Sequence, residues 1–180
     1  MQNTSITTQS VSVLSAFMML ALLLVSGVAS AADDEPHFMV GEKYGRLQFN
    51  SNVNDVYDNT HGNGFLLGYD FGNQLALQAE LLRANGNLSS LAANGTYDAR
   101  SEALYLAYRS PGDLYYLVKG GYLWEHLDMN SSGATSSNRK NGFSAGLGAG
   151  YRFGLISLEA EYTRIDKNLN TATLGFNFNF

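Results

Sequence analysis

Apolar and polar residues alternate along most of the chain beyond residue 37, with the two-residue period of a β-strand. The final stretch, TLGFNFNF, is a clear case. Its alternate positions divide into an apolar set (Leu174, Phe176, Phe178, Phe180) and a polar set (Thr173, Gly175, Asn177, Asn179). Because the four apolar side chains fall on one face of an extended strand, that face must be covered by a protein core or by a lipid bilayer.

The alternating pattern recurs in eight runs separated by polar or glycine-containing segments. The runs are Phe38–Phe49, Gly64–Phe71, Gln74–Ala84, Tyr97–Arg109, Leu114–His126, Gly142–Phe153, Leu155–Ile165 and Thr171–Phe180. Alternation is clean in the third, sixth and seventh runs and mixed in the first and fourth. The facing of these two runs is therefore not fixed by the pattern. The eight runs predict an all-β protein.

Connections between the runs alternate between short and long. Gly72-Asn73, the stretch SPGD and the region of Gly154 are predicted to be tight turns, because glycine, asparagine and proline supply the required backbone angles. The long connections are the polar segments NSNVNDVYDNTHGN, NGNLSSLAANGT and DMNSSGATSSNRKN, with a shorter DKNLN. This sorting of short turns and long loops to opposite rims is typical of outer-membrane β-barrels.

Alternation alone fits both a soluble barrel with an apolar interior and a membrane barrel with an apolar exterior. The polar face mixes glycine with single charges, which suits the narrow interior of an eight-stranded barrel. The apolar face carries aromatic residues near both strand ends: Phe71, Tyr116, Phe153 and Phe180 at the short-turn end, and Phe65, Trp124, Phe143 and Tyr162 at the long-loop end. Two such girdles favour an eight-stranded antiparallel up-and-down transmembrane β-barrel.

The first residues predict a signal peptide. The apolar run from Val11 to Val28 is followed by ASAADDE, in which Ala29 and Ala31 occupy the small-residue positions of a cleavage site. We therefore expect residues 1–31 to be a signal peptide and residues 32–180 the barrel domain. The alternative is a transmembrane anchor. The segment before the run, MQNTSITTQS, departs from the usual pattern because it lacks lysine and arginine.

Composition excludes several functions. The formal net charge is −5 and the lysines and arginines are scattered, so we expect no nucleic-acid binding. The chain has no cysteine, which excludes disulfides and thiol-based metal sites. No motif for a cofactor is present, because GLGAG at Gly146–Gly150 precedes no predicted helix. We expect no cofactor and no bound metal.

Charged residues on the polar face should gather in the lumen. The expected set is Glu42, Arg46, Asp70, Glu80, Arg100, Glu102, Lys119, Glu125, Arg152, Glu159 and Glu161. Buried charges must be paired, because an unpaired buried ion costs several kcal/mol. We therefore expect an ion-pair network that plugs the barrel. The alternative is a narrow or gated ion path.

Candidate chemistry outside the lumen is sparse. His126, Asp128 and Ser131 carry the residue types of a nucleophilic site, although WEHLDMNSS matches no motif of such enzymes. His61 with Asp55 and Asp58 could form a surface cation site, against the simpler interpretation as a polar loop. In SSGATSSNRKN, Arg139 and Lys140 are candidates for contact with lipopolysaccharide phosphates.

The whole predicted mature chain resembles the small eight-stranded outer-membrane barrels, such as the OmpA transmembrane domain and OmpX, in its signal peptide, its eight runs and its terminal Phe180. The resemblance implies that Phe176, Phe178 and Phe180 belong to a signal read by the barrel assembly machinery, with periplasmic chaperones assisting. It also implies an integral protein of a Gram-negative outer membrane, surrounded by lipid and lipopolysaccharide. These features specify fold better than function.

We predict a non-enzymatic monomer whose external loops mediate adhesion, resistance or recognition of host or surface ligands. The alternatives are an enzyme that modifies lipid A or another envelope lipid, and a small gated, porin-like channel.

Overall fold

The eight runs fold into eight β-strands that close on themselves. The computed structural model describes residues 35–49, 60–88, 95–131, 134–166 and 169–180. The strands are β1 (His37–Phe49), β2 (Thr60–Asp70), β3 (Leu75–Leu88), β4 (Gly95–Arg109), β5 (Leu114–Ser131), β6 (Ala134–Phe153), β7 (Ile156–Asp166) and β8 (Leu169–Asn179). Each strand pairs antiparallel with its neighbour, and β1 pairs with β8. The predicted all-β, eight-stranded antiparallel barrel is confirmed.

Both ends of the described chain meet at one rim. The amide of Phe38 donates to the carbonyl of Phe180, and the amide of Phe180 donates to the carbonyl of Phe38, each at 2.8 Å. The predicted signal peptide, with Ala29 and Ala31, lies outside the described residues. No helix in the described ranges is long and apolar enough to cross a membrane.

The tight turns form where the sequence predicts them. Gly72, Gly112 and Gly154 have φ angles of 73°, 102° and 62°. These are left-handed conformations, which glycine adopts at no steric cost. Each turn reverses the chain at the rim where the termini meet, and we call this rim the short-turn end.

Strands extend further at the opposite, long-loop end than the pattern predicts. β5 has 18 residues and β6 has 20, whereas about 9–11 residues suffice to cross a bilayer. Much of DMNSSGATSSNRKN, expected as a loop, is therefore paired strand. Beyond the apolar face both sides of a strand meet water, so the alternation disappears while the backbone hydrogen bonds continue.

Side chains alternate between the lumen and the outer surface. On β8 the lumenal positions, including Thr173 and Asn177, are buried, whereas Leu174 and Phe176 are exposed. On β6, Phe143 is 89% exposed. An apolar exterior around a polar lumen is the arrangement of a membrane barrel.

Aromatic residues cluster at both limits of the apolar outer face. At the short-turn end the ring of Phe38 lies 4.8 Å from that of Tyr69 and 6.4 Å from that of Phe180. At the long-loop end the ring of Tyr122 lies 5.2 Å from that of Trp124 and 5.7 Å from that of Phe143. The clusters correspond to the interfacial girdles expected from the sequence.

Candidate functional site

Four charged side chains form a closed ring across the middle of the lumen. We call Lys43, Glu80, Lys119 and Glu161 the lysine–glutamate ring. Lys43 Nζ lies 2.7 Å from Glu80 Oε1 and 2.5 Å from Glu161 Oε1. Lys119 Nζ lies 2.7 Å from Glu80 Oε1 and 2.6 Å from Glu161 Oε2. Each lysine therefore bridges both carboxylates, and the four formal charges cancel.

The four members of the ring lie at one level because each is five or six residues from the start of its strand. They come from β1, β3, β5 and β7, all of which run from the short-turn end to the long-loop end. Four residues further along these strands lie Leu47, Ala84, Leu123 and Ile165, which are buried members of one apolar cluster. The lumen is thus layered, with an apolar plug on the loop side of the ring.

A second charged layer lies on the short-turn side of the ring. Arg109 Nε lies 2.7 Å from Glu159 Oε1, and the hydroxyl of Tyr115 donates to the same oxygen at 2.8 Å. In the amide orientation that satisfies both polar atoms of Gln78, its oxygen accepts from Arg109 Nη2 at 2.6 Å. These four side chains come from β3, β4, β5 and β7, so this layer also joins strands across the barrel.

Glycine makes room for the large lumenal side chains. Tyr115 pairs with Gly150 on the neighbouring strand, and its ring occupies the space that a Cβ at Gly150 would enter. Lys119 similarly crosses Gly146, and its Nζ lies 4.5 Å from the centroid of the Tyr105 ring. This is within the distance of a cation–π contact. The glycines of GLGAG are therefore spacers for the lumenal network.

The charged layers leave little open space. A cavity beside the lysine–glutamate ring has a volume of about 20 Å³, enough for about one water molecule. A wider cavity of about 670 Å³ lies at the long-loop end and is lined in part by Tyr97, Asp98 and Asn130. The lumen next to the ring is thus occupied by side chains.

Seven of the expected lumenal charges lie on lumenal positions of their strands. They are Asp70, Glu80, Lys119, Glu125, Arg152, Glu159 and Glu161. The ring and the second layer bring Glu80, Lys119, Glu159 and Glu161 together. Asp70 instead accepts from the amide of Gly72 at 2.8 Å, which places it at the rim.

The remaining four expected lumenal charges face outward. Glu42, Arg46, Arg100 and Glu102 are exposed on the outer surface of β1 and β4, so their predicted lumenal placement is wrong. On these strands apolar residues also occupy the lumenal positions, such as Met39 on β1 and Tyr105 on β4. The pattern therefore did not distinguish the two faces.

Sequence reasoning missed two buried lumenal cations, Lys43 and Arg109. Lys43 lies between Gly41 and Gly45 on the same face of β1. Alternate glycines around a charge are the same signal that correctly marked the lumenal face of β6. For Arg109, the small residues Ala103 and Ala107 on its face of β4 give a weaker indication.

The histidine candidates do not assemble into a site. His126 and Asp128 share the outer face of β5, where His126 pairs in register with Arg100 and Arg139. The side chain of Ser131 is outside the described set. His61 stacks on Tyr44 with ring centroids 5.9 Å apart, and Asp55 and Asp58 lie outside the described residues. In the described ranges no group of three or more histidines and acids could hold a metal ion.

Comparisons with known proteins agree on the architecture. The Ail protein of Yersinia pestis superposes with a TM-score of 0.57 at 16% identity, covering 83% of this chain and 100% of that one. Neisserial surface protein A gives a TM-score of 0.59 at 12% identity, with 81% and 97% coverage. The N-terminal barrel domain of Pseudomonas aeruginosa OprF gives 0.54 at 16%, with 79% and 97% coverage. At these identities the similarity establishes the fold.

Family assignment rests on a separate match. No curated protein matches the chain significantly. Residues 17–180 match the model of the family described as the outer membrane protein beta-barrel domain. With its closed eight-stranded barrel and apolar outer face, the chain belongs to this family of outer-membrane barrels.

Proposed function

We propose that this protein is a closed, non-enzymatic scaffold of the outer membrane that presents its extended strands for recognition at the cell surface. The observation that carries the proposal is the pair of charged layers in the lumen. They connect opposite walls of the barrel and leave space for about one water molecule beside the ring. Contacts with other molecules then fall to the outer surface.

The strands β5 and β6 supply the surface for such contacts. The pairing between them continues as far as Ser131 with Ala134, whereas the described pairing of β6 with β7 starts at Ala145. We call residues 127–138 the outer extension. It carries the polar residues Asp128, Asn130, Ser136 and Asn138, which suit recognition of a polar ligand.

Replacing the outer extension with Asn-Gly tests this role. The replacement retains the pairing of His126 with Arg139, and Asn-Gly forms a tight hairpin turn. Cells carrying the shortened protein should lose binding to host cells or surface ligands that the full protein supports. The shortened barrel should still migrate faster when unboiled than when boiled on a denaturing gel. Equal binding by both proteins would contradict the proposal.

Lipid A modification remains the competing function, and it has a direct test. Mass spectra of lipid A from a deletion strain should match those of the strain expressing the protein. A modification that is restored by the wild-type protein and abolished by His126→Ala would establish the enzyme instead.

Export and assembly form part of the same proposal. We infer that residues 1–31 are removed after Ala31 and that Phe176, Phe178 and Phe180 are read by the barrel assembly machinery, with periplasmic chaperones as earlier partners. A closed barrel has no sheet edge within its membrane part, which suits a monomer. Amino-terminal sequencing of the outer-membrane protein should give Ala32. An intact Met1 would contradict cleavage.

A further inference from the structure

Five basic residues on the outer surface lie at one level of the barrel. Arg46 is nine residues along β1 from His37, and Arg83 is eight along β3 from Leu75. The other three lie equally far from the short-turn ends of their strands, eight or nine residues away: His61 on β2, Arg100 on β4 and Arg164 on β7. We call these five residues the basic collar.

The level of the collar corresponds to a membrane boundary. Eight or nine residues of a strand tilted by about 40° rise roughly 20–23 Å, and the apolar band of outer-membrane barrels is about 25 Å tall. On β3 the outward positions below Arg83 are Leu77, Ala79 and Leu81, and the position above it is Asn85. On β3, Arg83 therefore marks the limit of the apolar surface, whereas on β1 and β4 the outward Glu42 and Glu102 interrupt that surface below the collar.

Aromatic residues mark the same level on two of the three strands that lack a collar residue, β5 and β6. On β5, Tyr122 and Trp124 lie eight and ten residues from Leu114, and on β6, Phe143 lies ten residues from Phe153. Tyrosine and tryptophan concentrate where the lipid headgroups begin. The collar thus lies at headgroup height, independently of the rise calculated from strand tilt.

Within the collar, basic residues are placed next to one another. Arg83 pairs in register with Arg100, and Arg46 pairs with His61. The charges of Arg83 and Arg100, directly opposite on neighbouring strands, repel. Asp98 reduces the repulsion on β3 and β4, since its Oδ1 lies 3.0 Å from Arg100 Nε and 3.7 Å from Arg83 Nε. The side chains of Arg83 and Arg100 remain 55% and 51% exposed, so both can bind another anion.

We propose that the basic collar binds the phosphate groups of a phosphorylated glycolipid headgroup in the outer leaflet. Arginine is suited to this role because its planar guanidinium donates two parallel hydrogen bonds to a phosphate. A lipid headgroup is favoured over free phosphate because the acyl chains would lie on the adjoining apolar surface of Leu81 and Leu104. The proposal depends on the barrel spanning the outer membrane and is independent of the display function proposed above.

Arg139 and Lys140, the sequence candidates for this contact, lie elsewhere. Arg139 is on the outer face of β6, fourteen residues from Phe153 and well above the collar. Lys140 is on the lumenal side of β6, where it pairs in register with Glu125. These two residues therefore provide a matched control, because their replacement removes the same charge at the wrong level.

The test uses Trp124, the single tryptophan of the chain, as the energy donor. The refolded full barrel is placed in phosphatidylcholine vesicles that contain a small fraction of dansyl-labelled lipid A. Energy transfer from Trp124 to the dansyl group measures the enrichment of lipid A around the barrel. Arg83→Gln with Arg100→Gln should weaken the apparent association roughly thirtyfold, since each arginine near the surface contributes about a fivefold step. Arg139→Gln with Lys140→Gln should change it less than about threefold.

Two further arms identify the ligand. Dephosphorylated lipid A should show no enrichment, and inorganic phosphate at the same phosphate concentration should not displace lipid A. Equal weakening by both double variants, enrichment of the dephosphorylated lipid, or displacement by inorganic phosphate would each overturn the proposal. The gel shift between boiled and unboiled protein verifies that every variant is folded.

Discussion

At the scale of single residues, Lys119 makes three of the contacts that fill the lumen. It contacts Glu80 and Glu161 at 2.7 and 2.6 Å and lies over the ring of Tyr105. It is 3% exposed, so these contacts replace nearly all of its hydration. A buried ion pair adds little net stability, but removal of one partner leaves a buried charge without compensation.

A double-mutant cycle tests this asymmetry. Lys119→Met should destabilise the barrel by about 3–5 kcal/mol, because it leaves two carboxylates facing Lys43 alone. Adding Glu80→Gln should recover part of that loss, since the remaining Lys43–Glu161 pair is neutral. Urea titration in lipid vesicles measures the free energy of unfolding of the wild type, of each single variant and of the double variant. Additive losses in the double variant would show that the four charges do not act as one ring.

Two adjacent tyrosines allow a matched comparison in the second layer. Tyr115 is 2% exposed and donates to Glu159, whereas Tyr116 is 56% exposed on the outer surface. Tyr115→Phe should cost about 1.5–3 kcal/mol, the range for a hydrogen bond to a charged group. Tyr116→Phe should stay within about 0.5 kcal/mol. The same titration compares them, and equal costs would remove Tyr115 from the network.

At the scale of elements, the sequence predicts strand number, turn positions and the facing of strands whose two faces differ in chemistry. β6 and β7 are of this kind, with glycine or glutamate on the lumenal face and apolar residues outside. On β1 and β4, Met39 and Tyr105 are lumenal while Glu42 and Glu102 face outward. Their facing is set by pairing with neighbouring strands, which a single run does not encode.

Only part of the lysine–glutamate ring could be predicted, because the outward and lumenal faces are clear from the sequence on some of its strands and not on others. Glu80, Lys119 and Glu161 lie on strands with clear facing, but their spatial neighbour Lys43 lies on β1. The residues at one level of the lumen depend on the register of all strands together. The outer ends of β5 and β6 were missed because strands in water on both faces show no alternation.

Cysteine labelling tests the corrected facing of β1 and β4. The chain has no native cysteine, so each introduced thiol is a unique reporter. Arg46→Cys and Glu102→Cys in the folded barrel should react with a water-soluble maleimide, because both positions are exposed near the membrane boundary. The neighbouring Leu47→Cys and Ala103→Cys should be protected until unfolding. Faster labelling of the second pair would reverse the assigned facing.

At the scale of the whole molecule, the barrel inverts the usual distribution of polarity. The exterior carries large apolar side chains such as Leu147, Leu174 and Phe143, while the lumen holds ion pairs, asparagine and threonine. Two neutral charged layers and an apolar plug occupy the interior in succession. This arrangement supports the proposal that the barrel is closed, with lumenal charges that pair with one another instead of lining a pore.

Single-channel recording in a planar lipid bilayer tests this closure most directly. Refolded protein that shows the gel shift is inserted at neutral pH, and an open porin is inserted in parallel to establish that currents are detectable. The closed lumen predicts a current no greater than that of the bare bilayer at moderate voltage. Reproducible current steps from the wild-type barrel would contradict a plugged lumen and would identify the protein as a channel.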